Sequence, residues 1–325
     1  MKERPGHIDQ RDLAGILREQ WGLVPGRLRH LPVGFGDHHW ELTGAAGGRW
    51  FVTVAELAGG WRGAGPAAGF VDLRASMETV TALRRAGLEF AVAPVPTVGG
   101  QALARLGAGH AVAVFPYVGR AAGDFGDGLP ERDRLALIAI LARLHGATPL
   151  ARRTALARSP TPASRPALDA ALGELGRPWS GGPYSEPARR LLARQAARLG
   201  RALARFDELV RAAAGSGPPV ITHGEPHPGN IMRSGSGLLL IDWDTVGLAL
   251  PERDLWLAAG GDARAADCYA ELTGRRVSGA AMDLYQLRWS LDDIALSVGD
   301  FRDPHEQNED TALAWAGLTE EMGAI

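Results

Sequence analysis

Two short segments in the second half of the chain carry side chains suited to phosphoryl transfer. The first is His223-Gly224-Glu225-Pro226-His227-Pro228-Gly229-Asn230, and the second, after a short hairpin, is Ile241-Asp242-Trp243-Asp244. Transfer from ATP needs a group that orients the attacking hydroxyl, and oxygen ligands that hold Mg2+ against the phosphates. Glu225 can supply the first, and Asn230 and Asp242 carry the hard oxygens that Mg2+ prefers. The two segments therefore predict a metal-dependent site.

Each of these residues also has an alternative, structural interpretation. Asn230 suits an Asx turn and Asp242 a strand-end cap, while Glu225 is also typical of a solvated loop. Their occurrence together behind His223-Gly224 favours metal ligation and a catalytic role. For His223 and His227 the structural interpretation is preferred, because both are expected to hold the loop by hydrogen bonds.

The N-terminal part of the chain predicts strands with one inserted helix. Asp9 is a suitable N-cap for a first helix, since Leu13, Leu17 and Trp21 share one face behind it. Alternation over Arg49–Val54 is typical of a strand. A helix is expected over Asp72–Ala86, after a Gly/Ala-rich loop.

After Pro116 the pattern becomes mainly helical, apart from residues 148–186, which are rich in Pro and Ser and are expected to be irregular. We therefore predict an α+β protein of two lobes. Residues 1–115 are expected to form a β-rich N-terminal lobe, and residues 116–325 are expected to form a helical C-terminal lobe.

Composition restricts the class of protein. Of 325 residues, 46% are hydrophobic and 22% charged, which suits a soluble globular protein. The net charge of −2 predicts neither a nucleic-acid nor a membrane partner. No secretory signal is recognised, and Cys268, the single cysteine, forms no internal disulfide. We expect a cytoplasmic monomer or dimer. Lys2 is the only lysine, so a lysine inside the fold is not expected.

The two segments resemble the HGD-x-x-x-x-N catalytic loop and the I-D-W/F metal motif of aminoglycoside phosphotransferases, which are relatives of the protein kinases. The stretch Pro251-Glu252-Arg253-Asp254-Leu255 and the segment Leu291–Ala295 are similar to the spectinomycin phosphotransferase branch. The resemblance covers most of the chain. It implies a protein-kinase-like fold, with an antiparallel sheet in the N-terminal lobe, and it implies ATP or GTP and Mg2+ as cofactors.

The resemblance also implies roles for individual residues. Glu225 stands where the family has its catalytic Asp, Asn230 and Asp242 are the expected metal ligands, and His223 and Asp254 are expected to support the loop. The nucleotide is expected to meet a turn, a strand and the connection between the lobes, at Gly34, Gly36, Asp37, His38, Thr53, Phe115 and Val118. Carboxylates expected near the substrate are Asp244, Asp292 and Asp293.

Two positions depart from the family pattern. Glu225 is one methylene longer than Asp, which moves its oxygens by roughly 1 Å on a fixed backbone. Thr53 stands where kinases carry the lysine that contacts the phosphates, and Glu78 is the carboxylate that would pair with that lysine. Nearby arginines that could replace the charge are Arg49, Arg62 and Arg74.

Three functions follow from this pattern. The favoured one is an ATP-dependent O-phosphotransferase that confers resistance by phosphorylating a hydroxyl of an antibiotic, either a spectinomycin-like aminocyclitol or a nucleoside antibiotic. The second is a metabolic kinase that acts on an amino alcohol or a sugar. The third, motivated by Thr53 and Glu225, is a nucleotide-binding pseudokinase. Because these share a fold, the fold alone does not separate them.

Overall fold

A five-stranded antiparallel sheet forms the N-terminal part of the computed structural model, which describes residues 5–34, 36–58, 65–119, 122–235 and 237–325. Its strands are β1 (Pro25–Leu31), β2 (His38–Gly44), β3 (Arg49–Glu56), β4 (Ala104–Leu106) and β5 (His110–Pro116). Their order across the sheet is β1-β2-β3-β5-β4. The predicted α+β class is confirmed.

One face of this sheet is closed by helix α1 (Gln10–Trp21). The Asp9 carboxylate accepts a hydrogen bond from the Arg11 amide (2.7 Å) and caps the helix start. Helix α1 buries its apolar side against the sheet, in a core that includes Leu13, Leu17, Trp21, Trp40, Leu42, Val52, Val54, Val112 and Val114. Because side chains alternate along a strand, the residues between these point to the opposite face.

The remaining elements are mostly helices. They are α2 (Pro66–Arg85), α3 (Glu131–Gly146), α4 (Thr148–Ala151), α5 (Arg165–Gly173), α6 (Ser185–Ala213), α7 (Glu252–Ala259), α8 (Ala263–Thr273), α9 (Gly279–Arg302) and α10 (Glu309–Ala324). Four short strands form two pairs, β6 (Val220–Thr222) with β9 (Gly247–Ala249) and β7 (Ile231–Ser234) with β8 (Gly237–Leu240). No helix in the described part of the chain combines the length and apolarity that a bilayer span requires.

The chain divides into two compact units. The first comprises Met1–Arg158 and Pro218–Val277, and the second comprises Ser159–Gly217 and Ser278–Ile325. The first unit contains the sheet and both segments singled out in the sequence. The predicted lobe boundary at residue 116 falls inside it, at the end of β5, and the two-lobe division remains a prediction. The second unit consists of α5, α6, α9 and α10.

Two expectations were wrong, one about the residue at which α2 begins and one about the irregular structure of residues 148–186. Helix α2 begins at Pro66 rather than near Asp72, and residues 148–186 contain α4 and α5. In all three helices a proline occupies one of the first two positions. Proline is tolerated there because its fixed φ suits the first turn. The N–H groups of that turn have no acceptor within the helix, so proline, which lacks an N–H, loses no hydrogen bond.

Candidate active site

Asp254 in the first turn of α7 lies beneath the loop that begins at His223. Its two carboxylate oxygens accept hydrogen bonds from the backbone amides of His223 (2.9 Å) and Gly224 (2.6 Å). The side chain is fully buried. Burial alone raises the pKa of a carboxyl, but the hydrogen bond from His145 and neighbouring positive charges outweigh it, so the pKa of Asp254 lies below its ordinary value. An ionised Asp254 therefore fixes the start of the loop.

His145 and Tyr269 extend this support into the core. The His145 Nε2 atom lies 3.0 Å from the Asp254 carboxylate, and its Nδ1 atom lies 2.7 Å from the Tyr269 hydroxyl. A carboxylate only accepts, so Nε2 donates to Asp254. Burial raises the pKa of Tyr269 and keeps that hydroxyl protonated. The hydrogen-bonded chain Tyr269–His145–Asp254 therefore fixes the orientation of the His145 ring against the carboxylate.

Gly224 allows the loop to pass close to the Arg253 side chain. Its φ is +107°, and a Cβ there would lie 2.3 Å from an Arg253 guanidinium nitrogen and 2.5 Å from the Thr245 hydroxyl. Arg253 donates to the Thr222 hydroxyl (2.9 Å), and Thr245 donates to the His223 carbonyl (3.1 Å). The backbone conformation and the close packing both require glycine at this position.

Replacing Gly224 by alanine is expected to lower the free energy of unfolding by about 3 kcal/mol, through backbone strain and overpacking. Gly65→Ala is the matched control, because Gly65 has φ +111° but a Cβ placed on it would meet no atom within 4 Å. It should lose only about 1 kcal/mol. Urea unfolding followed by tryptophan fluorescence measures both. Equal losses of unfolding free energy in the two variants would show that packing of residue 224 against Arg253 does not contribute to the effect of Gly224→Ala.

His223 uses both ring nitrogens to shape the loop. Its Nε2 atom lies 2.9 Å from the Ile241 carbonyl, and its Nδ1 atom accepts from the Glu225 amide (3.2 Å). Burial lowers the pKa of His223, so the ring is neutral with its proton on Nε2. This geometry agrees with the structural interpretation of His223 and orients Glu225, which is partly exposed.

Asn230, at the end of the loop, has its amide nitrogen engaged by the loop itself. That nitrogen donates to the Glu225 carbonyl (3.0 Å) and lies 3.2 Å from His227 Nε2. Burial lowers the pKa of His227 to about 4, so this imidazole is neutral near pH 7. With the nitrogen held in this way, the carboxamide oxygen is the part of Asn230 that can bind a cation.

Asp242 directly follows the backbone contact that joins the two segments. The Ile241 amide donates to the Asn230 carbonyl (3.0 Å), so Asn230 and Asp242 extend from adjacent pieces of chain. Asp242 has φ +61°, a value that among the described residues is otherwise confined to glycines. An L-residue held in this region is strained, and such strain is concentrated at functional sites.

Asn230 and Asp242 fit a magnesium ion by their chemistry. Both offer hard oxygens, and Mg2+ commonly takes only one or two protein ligands, with water and phosphate oxygens completing its shell. In the described ranges, no group of three or more His, Cys, Asp and Glu side chains could hold a metal without such help.

The face of the sheet opposite α1 carries the predicted nucleotide contacts. Thr53 on β3 is paired with His39 on β2, and its hydroxyl lies 3.2 Å from His39 Nδ1. A Cβ on Gly34 (φ +69°) would lie 3.2 Å from His39 Nε2, so the glycine turn packs on the imidazole. Burial lowers the pKa of His39 to about 3. A neutral threonine–histidine pair thus occupies the position expected for a lysine.

His38 was expected at the nucleotide, but strand alternation places it on the other face. It is buried on the side of Trp40 and lies 5.8 Å, between ring centroids, from His7. A difference of one residue reverses the face of a strand. His39 is therefore the histidine of β2 that shares a face with Thr53. Gly36 and Asp37 lie in the turn before it, and Gly36 has φ +81°.

The arginines proposed to replace the lysine have other partners. Arg49 donates to Glu41 (2.8 Å) and lies 3.8 Å above the Tyr117 ring. Arg74 lies 3.8 Å from Glu78, one turn along the same helix. Arg62 falls outside the described residues. Neither Arg49 nor Arg74 therefore forms the strand-to-helix ion pair typical of kinases.

Phe115 and Val118 lie on either side of the end of β5. Phe115 is paired with Phe51 on the face shared by Thr53. Val118 lines a cavity of about 380 Å³ together with Pro116 and Leu239. Phe115 and Thr53 do not line this cavity, so the contact of Val118 with a nucleotide base stays a prediction.

The three carboxylates predicted for the substrate lie in different units. Asp244 follows Asp242 in the first unit, and its carbonyl accepts from the Ser76 hydroxyl (2.7 Å). Asp292 and Asp293 belong to α9 in the second unit. Asp292 accepts from Ser164 and lies 3.5 Å from Arg288. Burial, together with the charges of Glu321 and Asp292, raises the pKa of Asp293 to about 7.

Comparison with known proteins identifies the chain's family. The profile of the phosphotransferase enzyme family (APH) matches residues 27–288, most of the chain. The chain belongs to this family. The phosphotransferase is also 30% identical over 328 residues to Protein StrN of Streptomyces griseus, in an alignment that covers 91% of this chain and 86% of that protein. The resemblance inferred from the catalytic-loop and metal motifs is confirmed.

Solved structures share the fold of this phosphotransferase. Spectinomycin phosphotransferase, solved with ADP and spectinomycin, has a TM-score of 0.74 at 16% identity, covering 97% of this chain and 94% of that one. Choline kinase LicA from Streptococcus pneumoniae has a TM-score of 0.60 at 13% identity, covering 97% and 99%. These values confirm the protein-kinase-like fold. The chain is a kinase of the phosphotransferase enzyme family.

Sequence reasoning missed the supporting roles of His145 and Tyr269, which are 124 residues apart in the chain. The contact of His39 with Thr53 joins residues 14 apart and depends on the pairing of β2 with β3. A buried histidine on an apolar helix face was the one local signal available for His145.

Proposed function

We propose that this phosphotransferase transfers the γ-phosphate of ATP to a hydroxyl of a small-molecule antibiotic, with a spectinomycin-like aminocyclitol as the favoured acceptor. The observation that carries the proposal is the arrangement of Glu225, Asn230 and Asp242 on adjacent loops braced by Asp254. The fold shared with spectinomycin phosphotransferase supports the class of acceptor. Phosphorylation blocks a hydroxyl and adds negative charge, which is how a drug would be inactivated.

In this proposal the residues of the loop have separate tasks. Glu225 orients the acceptor hydroxyl and takes up its proton. Asn230 and Asp242 hold Mg2+, which neutralises phosphate charge when bound. In a loose transition state, positioning contributes more than basicity, so the longer side chain of Glu225 is compatible with activity. Asp244 is assigned to the acceptor side because it lies two residues beyond Asp242.

The nucleotide side of the proposal rests on the sheet face that carries Thr53. Gly34, Gly36 and Asp37 form the turn over the phosphates, and the hydroxyl of Thr53 with the imidazole of His39 replaces the lysine by neutral hydrogen bonding. Phe115 and the backbone near Val118 meet the base. Pro116 has no N–H and cannot donate there.

A metabolic kinase that acts on an amino alcohol is the second candidate. The fold similarity to choline kinase LicA, with almost complete coverage of both chains, favours it. Both candidates use the same loop and metal pair. They differ only in the acceptor, and substrate identity is therefore the quantity to measure.

A phosphate-transfer screen separates these candidates. The protein is incubated with Mg2+, ATP or GTP labelled at the γ-phosphate, and a panel of aminocyclitols, nucleoside antibiotics, amino alcohols and sugars. Mass spectrometry then locates the modified hydroxyl. Transfer confined to spectinomycin-like compounds is expected. Transfer confined to choline or aminopropanol would favour the second candidate, and undiminished transfer in Asp242→Ala would remove Asp242 from the proposed metal site.

Glu225→Gln is expected to lower kcat by about 10²–10⁴-fold, because it keeps the shape of the side chain but removes the proton acceptor. Glu225→Asp should lose less than the amide variant, since its carboxylate is displaced but retained. Steady-state kinetics with the identified acceptor measures both. Glu131→Gln, an exposed carboxylate paired with Arg264, is the control. An unchanged kcat in Glu225→Gln would remove Glu225 from the proton transfer.

A further inference from the structure

Arg158 links helix α2 to the chain that follows Asp242. Its Nη1 atom donates to the Asp72 carboxylate (2.6 Å), and its Nη2 atom donates to the Ser76 hydroxyl (2.8 Å). Nε and Nη2 also donate to the Val246 carbonyl, at 3.1 and 2.9 Å. One guanidinium therefore contacts two side chains of α2 and the backbone four residues beyond Asp242.

Ser76 makes a second bridge from the same helix. Its hydroxyl accepts from Arg158 and donates to the Asp244 carbonyl (2.7 Å), and the residue is 1% exposed. Helix α2 is thus attached to the chain at Asp244 and at Val246. Asp242, whose φ of +61° is strained, lies immediately before these attachment points. A strained residue persists only where its surroundings hold it.

The backbone near Arg158 is itself fixed. Its amide donates to the Leu248 carbonyl (2.9 Å), and the Leu248 amide donates to the Leu156 carbonyl (2.8 Å). Gly247 makes room for the side chain, since a Cβ there would lie 2.6 Å from Arg158 Cγ. The arginine therefore reaches α2 from a rigid position beside β9.

Thr53 and Glu78 of this chain do not form the lysine–glutamate ion pair that couples this helix to the active site in kinases. Thr53 contacts His39 on the neighbouring strand, and Glu78 lies beside Arg74 on its own helix. The Asp72–Arg158 pair supplies an ion pair from α2 to the segment that carries Asp242. The Asp72 side chain is 25% exposed and the Arg158 side chain 18%. Solvent therefore screens this ion pair less than it screens a pair on the surface.

We infer that Arg158 is the positioning residue that holds the Asp242 segment against helix α2 and so sets the affinity for the metal–nucleotide complex. The inference rests on the proposed function, because it takes Asp242 as a metal ligand. Supporting residues behind metal ligands commonly change metal affinity or activity by about 10–100-fold when replaced. The planar fork of arginine spreads five donors in a fixed geometry over these acceptors, whereas lysine presents its three donors from a single nitrogen.

The test compares Arg158→Met and Arg158→Lys with wild type in two measurements. Titration calorimetry gives the affinity for Mn2+ together with ADP, which needs no acceptor. Steady-state kinetics gives kcat, the KM of the acceptor and the Mg2+ concentration for half-maximal rate. Arg158→Met is expected to weaken Mn2+–ADP binding and raise the Mg2+ requirement by about 10–100-fold, with the KM of the acceptor unchanged. Arg158→Lys should recover part of the loss.

Arg134→Met is the matched control. Arg134 bridges the Asp262 carboxylate (2.7 Å) and the Leu129 carbonyl (3.0 Å), and its side chain is 27% exposed. Its replacement should lower the unfolding temperature without changing the metal dependence. Where Arg158→Met fails to fold, Asp72→Asn removes the charge that pairs with Arg158, and Ser76→Ala removes the hydrogen bonds to Arg158 and to the Asp244 carbonyl. Both should still raise the Mg2+ requirement.

The outcomes separate this inference from the proposed function. Phosphate transfer with unchanged metal dependence in the folded Arg158 variants overturns the inference and leaves the function intact. Mn2+–ADP binding that depends on Arg158, without transfer to any acceptor, supports the inference and removes the proposed acceptor class. Absence of Mn2+–ADP binding in the wild type overturns both, and equal effects in the Arg134 and Arg158 variants reduce Arg158 to a structural role.

Discussion

Replacing Asp242 by asparagine is expected to lower kcat for phosphate transfer by about 10³-fold and to raise the Mg2+ concentration needed for half-maximal rate. The carboxylate is the charged member of the proposed metal pair, and Asn230 offers only a neutral oxygen. Asparagine adopts positive φ more readily than most residues, so the backbone at φ +61° should be kept. The loss therefore reports on charge rather than on folding.

Steady-state kinetics at graded Mg2+, together with thermal unfolding, measures this prediction. Asp12→Asn is a suitable control, because Asp12 is an exposed carboxylate in the first turn of α1. It should leave both the rate and the metal dependence unchanged. Wild-type kcat and Mg2+ dependence in Asp242→Asn would rule out Asp242 as a metal ligand.

Asp254→Asn is expected to lower the free energy of unfolding by about 3–5 kcal/mol, the loss typical when one partner of a buried ionic contact is removed. Two backbone amides and the His145 ring all donate to this carboxylate. Asparagine offers one oxygen for three donors and turns an N–H group toward them. The loop should also shift, and a displacement of about 1 Å can cost about 10²-fold in rate.

Urea unfolding at several pH values tests the ionic part of this prediction. Because the folded-state pKa of Asp254 lies below its ordinary value, its stabilisation is complete above the unfolded pKa and is lost as pH falls through the folded one. The difference between wild type and Asp254→Asn should thus be constant from about pH 7 to pH 5 and shrink below about pH 4. Asp262→Asn, at the partly exposed N-cap of α8, keeps a good capping residue and loses only the ionic part of its contact with Arg134, so it should cost at most about 1 kcal/mol. If Asp254→Asn lowered the free energy of unfolding by less than Asp262→Asn does, Asp254 would not be the residue that fixes the start of the loop.

The sequence was informative where a feature is local. The alternation over Arg49–Val54, the cap at Asp9 and the motif spacing from His223 to Asp242 each depend on a few neighbouring residues. The family profile over residues 27–288 confirms the interpretation of that spacing. The α+β class followed from the change in periodicity near Pro116, because strand and helix periods differ.

Features that depend on distant pairing were not predictable. The partner of Arg158 on α2 is 86 residues away, and His145 and Asp254 are separated by 109. The face of His38 depends on strand register, which a single residue reverses. Prolines in residues 148–186 were interpreted as breakers, although Pro149 and Pro166 stand in the first turns of α4 and α5. The same residue type ends one helix and begins another.

The neutral pair formed by Thr53 and His39 has a consequence for chemical probing. Reagents that deliver an acyl group from an ATP analogue label kinases at an ε-amine, and the part of this chain that the structure describes contains none. Nucleotide affinity should also lack the alkaline limb that lysine deprotonation near about pH 10 produces. In a mixture of kinases, residues 5–325 of this phosphotransferase would therefore offer these reagents no ε-amine, while its lysine-bearing relatives react.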